Sequence, residues 1–144
     1  MDDASIDEVL DALHQYDAGC WWVETIPGKM FHGEPIDLEI DTQSPTMVSS
    51  PRPSEDELKL ARSILRSIDT IIAVAEGEFD SYHAKYLEEA RSTIDAPGIW
   101  ISRETILEEG PERWTFVVSR SDWEDYGYHI EFNSVELVES WAGD

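Results

Sequence analysis

The sequence predicts an α+β fold. An antiparallel sheet, built from an N-terminal hairpin and a C-terminal meander, packs against one long helix and one or two shorter ones. Three observations lead there. Between Glu112 and Asp144, three alternating runs separated by turn residues have the pattern of a three-stranded meander. Residues Ile36 to Asp41 alternate three apolar side chains with three acids without a fault, as a strand with one covered face would. Leu58, Ala61, Leu65, Ile68, Ile72 and Ala75 instead recur every three or four positions, which is helical spacing.

Taken in order, the chain starts with a predicted helix over Ser5–Tyr16. A Ser5/Glu8 capping box opens it, and Ile6, Val9, Leu10 and Leu13 form its apolar stripe. Cys20 to Thr25 is rich in aromatic and β-branched residues and pairs, as a hairpin strand, with Ile36–Asp41. The acids Asp37, Glu39 and Asp41 then form a solvated outer face. Residues 42–53, rich in Pro and Ser, read as a surface loop within a single domain spanning residues 1–144. Ser54 and Glu57 form a second capping box at the start of the long helix, which Gly77 is expected to interrupt. A further helical pattern covers Phe79–Thr93 and ends at Asp95-Ala96-Pro97-Gly98; Ile99–Ile101 is a short strand. In the meander, Trp114, Phe116 and Val118 share one face, and Tyr128, Ile130 and Phe132 face the core. His129 and Glu131 point the other way. The alternation of Val135–Ser140 does not decide which of its faces is covered.

The charge is the strongest statement of the composition. Thirty-two acids oppose ten basic residues, a formal −22. Such a field repels phosphate backbones and anionic lipid, so nucleic acid and membrane surfaces are not expected partners. Two readings are consistent with it: solubility in a salty environment, and steering of a basic protein partner. The chain holds one cysteine, Cys20, so no internal disulfide forms. The acidic N-terminus has no signal-peptide pattern, and the longest apolar run, Ile71–Ala75, is far short of a membrane span. A soluble, cytoplasmic protein is expected.

Phosphate loops, dinucleotide fingerprints, His-Glu-x-x-His, nucleophile elbows and EF-hand loops are all absent from the sequence. No cofactor is therefore expected. The densest chemistry lies near the C-terminus. His129 and Glu131, two apart on a strand, project side by side and could share a proton or a metal. Asp122, Trp123, Glu124, Asp125 and Tyr126 precede them in a predicted loop spanning Ser121–Gly127. Aromatic rings among acids on a loop have the composition of a binding hot spot for a basic partner.

The run Tyr126-Gly127-Tyr128-His129-Ile130-Glu131-Phe132, followed by Val135-Glu136-Leu137-Val138, resembles the closing hairpin of small bacterial proteins of unknown function, some of immunity-protein type. That resemblance covers about a quarter of the chain and brings no catalytic residues with it; it implies a binding role without catalysis. The expectation is an acidic protein-binding module, immunity-like and directed at a basic partner, through Asp122, Trp123, Glu124, Asp125, Tyr126, His129 and Glu131. The alternative is a small hydrolytic or metal-assisted enzyme using His129 and the nearby carboxylates.

Overall fold

The computed structural model describes residues 1–44 and 52–143, so most of the expected loop over 42–53 lies outside the described residues. Helix α1 (Asp3–Asp11) is followed by strands β1 (His14–Asp17) and β2 (Cys20–Val23), a small hairpin β3 (Met30–Phe31) and β4 (Glu34–Pro35), and β5 (Asp37–Asp41). Helices α2 (Glu55–Arg66), α3 (Ile68–Tyr82) and α4 (Leu87–Ser92) come next, with a 3-10 turn at Ala84–Tyr86 between the last two. The chain ends with β6 (Ile94–Ser102), α5 (Arg103–Glu109), β7 (Arg113–Arg120), β8 (Trp123–Asn133) and β9 (Glu136–Gly143). Seven of these strands form one sheet in the order β1-β2-β5-β6-β7-β8-β9.

The α+β class holds, and so do the β2–β5 pairing and the C-terminal meander. One pair, β5 and β6, is parallel. The cause is connectivity: the chain between them crosses over through α2, α3 and α4, and a crossover of that length returns in the same direction.

Several element boundaries differ from the sequence expectation. Helix α1 is capped by Asp2, whose Oδ1 accepts from the Ser5 N–H at 2.8 Å, and it ends at Asp11. Residues 14–17 pair with β2 instead of continuing the helix, because the rings of His14 and Tyr16 pack against Trp22 at 5.9 and 5.5 Å. The long helix breaks at Ser67 and runs straight through Gly77, where an added Cβ would meet nothing. A bend at Ser67 keeps two apolar stripes on the sheet: Leu60, Ala61, Ile64 and Leu65 before it, Ile68, Ile71, Ile72, Ala75 and Phe79 after it. Residues 95–98, expected to close the helical section, form a bulge inside β6, with Ala96 at φ 42°. The Ser54/Glu57 capping box is present as expected, with bonds of 3.2 and 2.7 Å.

The core lies on one side of the sheet. Leu38, Ile40, Ile99, Ile101, Phe116, Val118, Tyr128, Ile130 and Phe132 are all buried there against the helices. Trp114 stacks on Phe132 at 4.6 Å, and Phe31 of the small hairpin meets Phe79 and Phe116. Under this layer, Arg103 forms a buried, two-bond ion pair with Glu57, both bonds 2.7 Å long. Strands alternate, so every second residue of the same strands faces the opposite way. The buried helix residues belong to the core on the first face, while Trp22, Glu39, Trp100, Val117 and Trp141 on the second stay half-buried or exposed.

Candidate functional site

The open face is ordered by strand register. One row across it reads Trp22, Glu39, Trp100, Thr115, Glu131 and Glu139. The neighbouring row reads Asp37, Gly98, Val117, His129 and Trp141. Three of the six tryptophans therefore lie on the uncovered face, interleaved with carboxylates. A shallow depression of ≈ 350 Å³ sits between the rows, lined by Asp37, Glu39, Gly98, Trp100, Val117 and His129.

Two glycines shape this surface. A Cβ at Gly98 would lie 1.6 Å from Asp37 Oδ1, so the carboxylate rests where only glycine leaves room. A Cβ at Gly127 would lie 2.8 Å from His129 Nε2. Trp22 Nε1 donates to Asp37 Oδ2 at 3.0 Å, and the Tyr16 hydroxyl donates to Glu39 Oε1. Burial pushes Asp37 up to about 6, with the Trp22 bond pulling the other way and the Glu39 charge adding to the rise. Hydrogen bonding to Glu39 raises the Tyr16 phenol well above its ordinary value. His129 stacks on Trp141 at 4.0 Å; burial lowers its pKa, and its Nε2 is buried with no hydrogen-bond partner.

The structure divides the residues singled out from the sequence. His129 and Glu131 are on the open face, as expected, and they share no hydrogen bond. Glu131 Oε1 accepts from Arg113 at 3.2 Å and Oε2 accepts from Trp141 Nε1 at 2.8 Å. Asp37 and His129 stand three strands apart, about 14 Å between backbones, too far to exchange a proton directly.

The expected loop Ser121–Gly127 is a two-residue turn followed by strand β8, which begins at Trp123. Tyr126, with Trp123 packed on it, lies on the helix side of the sheet end. The Tyr126 hydroxyl donates to His83 Nε2 at 2.9 Å, Trp123 packs on the Tyr126 ring at 5.3 Å, and Arg120 lies over that ring while bonding Asp122. Glu124 and Asp125 are exposed between them. The sequence placed the two groups side by side because β8 was read as starting five residues later. Their separation follows from strand alternation, which sends Tyr126 and His129 to opposite faces.

No protein family, curated protein or solved structure matches the chain. Fold and chemistry alone carry the functional reading.

The acid row Asp37, Glu39 and Asp41, read from sequence as a solvated outer face, is half-buried in this surface. Trp22, Trp100 and Gly98 were not singled out from the sequence. Faultless alternation from Ile36 to Asp41 was the available signal for Asp37, but which strands lie beside it is a matter of register. Among the described residues, no group of three His, Cys, Asp or Glu is placed to hold a metal ion, and no helix is long and apolar enough to cross a membrane. Cys20, on β2 beside the β1 edge strand, is half-buried, and burial raises its thiol pKa, which makes it a poor nucleophile.

Proposed function

We propose that the chain is a non-enzymatic, acidic binding module that receives a basic protein partner on the open face of its sheet. The observation that supports this reading is the segregation of charge. Of the ten basic residues, Arg113 is the one on an open-face strand position, and it is held by Glu109 and Glu131. Lys29, Arg62, Arg66, Arg91, Arg103 and Arg120 are all paired with acids on the helix side or its rim. The open face is left with half-buried Trp22 and Trp100 and exposed Trp141 among carboxylates, a surface complementary to a cationic one. An immunity-type role, in which this face masks a basic toxin, is one form of the proposal.

The test is selection from a random displayed-peptide library, followed by charge reversal on each side. Glu39→Lys with Glu139→Lys alters the open face; Asp11→Lys with Glu108→Lys makes the same net change on exposed helix positions. Enriched basic peptides should lose binding about tenfold or more to the first variant and little to the second. Equal losses would reduce the effect to net charge and sink the reading.

A further inference from the structure

We infer that the depression between Asp37 and Trp100 is a subsite for one arginine side chain of that basic partner. The inference rests on the open-face reading and makes it specific to a residue type.

The geometry is a one-sided clamp. Asp37 lies over Gly98, and its rotation is fixed by the bond from Trp22 Nε1 to Oδ2. Oδ1 accepts no hydrogen bond from another described residue and is open to a donor from outside the chain. Glu39, next on the same face, uses Oε1 for Tyr16 and likewise has a second oxygen to offer. Trp100 is the register neighbour of Glu39 on one side and Trp22 on the other. Two carboxylate oxygens beside a half-buried indole suit a guanidinium. That group is planar, weakly hydrated, stacks on aromatic faces, and donates in its own plane to carboxylates. A lysine ammonium could meet the same charges, but it gains less from an aromatic face and gives up a tighter hydration shell.

The electrostatics agree with the geometry. Asp37 is faced by Glu39 on its own strand, Trp22 on β2, Gly98 on β6 and, across the depression, His129 on β8; none of these supplies a positive charge when His129 is neutral. The carboxylate is therefore hard to ionise in the free protein, and a bound cation would favour its ionised form. Arginine binding should release protons and weaken as the solution is acidified through about pH 6. Protonation of His129 at low pH would add repulsion in the same direction.

The test uses the whole chain and a blocked Gly-Gly-Arg-Gly-Gly peptide, followed through the indole N–H signals in two-dimensional NMR. Its citrulline counterpart, neutral and nearly isosteric, is the control. The expected result is saturable movement of the Trp22 and Trp100 indole signals with the arginine peptide and none with the citrulline one. Asp37→Asn and Trp100→Ala should each weaken binding about tenfold, Asp122→Asn should leave it unchanged, and affinity should be lower at about pH 5 than at about pH 8. Far-UV circular dichroism checks that each variant folds. Unchanged affinity in both Asp37→Asn and Trp100→Ala overturns the subsite. If binding then still falls in the Glu39→Lys, Glu139→Lys protein, the broader open-face reading stands without it; if that variant also binds normally, both fail.

Discussion

The two faces of the sheet are made from the same strands and differ in how completely their polar groups are used. On the covered face, Glu57 and Arg103 close on each other through two bonds, and His83 is satisfied at both nitrogens, by Phe79 O and the Tyr126 hydroxyl. His32 Nε2 makes no hydrogen bond there, but it sits 2.9 Å from an Asp80 carboxylate oxygen. On the open face, His129 keeps a buried nitrogen without a partner, and Asp37 Oδ1 accepts from no other residue. A surface that buries polar atoms without pairing them carries an energetic cost, and such cost collects where a ligand is to be met. The covered face holds the fold together; the open face holds interactions in reserve.

The largest expected effect belongs to the covered face. Arg103→Ala leaves the charge of Glu57, 2% exposed, with the Ser54 N–H but no cation to offset it. Removing one partner from a buried ion pair costs ~3–5 kcal/mol. The open-face pair Arg113–Glu131 is more exposed and keeps Trp141 as a second donor, so Arg113→Ala should cost only about 1 kcal/mol. Urea unfolding of both variants checks the ratio. Equal costs would mean that the two faces contribute alike to stability, against the division drawn above.

The second effect has the opposite sign. Asp37 has a pKa of about 6 in the folded chain, against 3.8 for an unperturbed aspartate. The folded state therefore binds the proton more tightly, so the stability this group gives is full below about pH 4 and is lost as pH rises through about 6. Asp37→Asn removes the charge while leaving an oxygen for Trp22 Nε1. It should stabilise the chain at about pH 8 by ~1–2 kcal/mol, the linkage value discounted for partial exposure, and make no difference below about pH 4. Thermal melts across that range give the answer. A destabilised variant at about pH 8 would show that ionised Asp37 is already compensated, and with it would go the reason to expect a cation there.

The covered face was the legible one. Buried Leu38, Ile40, Phe116, Ile130 and Phe132 declared themselves by alternation, and the α2 start by its Ser54/Glu57 box, because both signals are local. The boundary errors came from tertiary preferences overriding local ones. Residues 14–17 became a strand because Trp22 offered them a surface, and the long helix bent at Ser67 because two stripes had one sheet to meet. The open face was hardest to read because its chemistry is assembled across strands. Asp37, Trp22 and Gly98 are separated by up to 76 positions in sequence and meet only through the β2–β5–β6 register, including a parallel pair that no local pattern signals.

The smallest effects concern the sheet end, where Trp123 and Tyr126 lie. His83 has a pKa lowered by burial, so its imidazole is neutral in the fold. With Nδ1 donating to Phe79 O, Nε2 must accept, and the Tyr126 hydroxyl is its donor. Tyr126→Phe leaves that nitrogen unpaired and should cost ~1 kcal/mol near neutral pH. The loss should shrink on acidification, because a protonated Nε2 no longer accepts from the Tyr126 hydroxyl and the wild-type bond is then lost as well. Trp123→Ala, at a side chain 54% exposed, should change stability by less than ~0.5 kcal/mol. Neither change should alter binding of basic peptides if the open face is the recognition surface. If Trp123→Ala abolishes that binding at unchanged stability, recognition belongs to the sheet end, and the polar capacity left on the open face would then need another occupant.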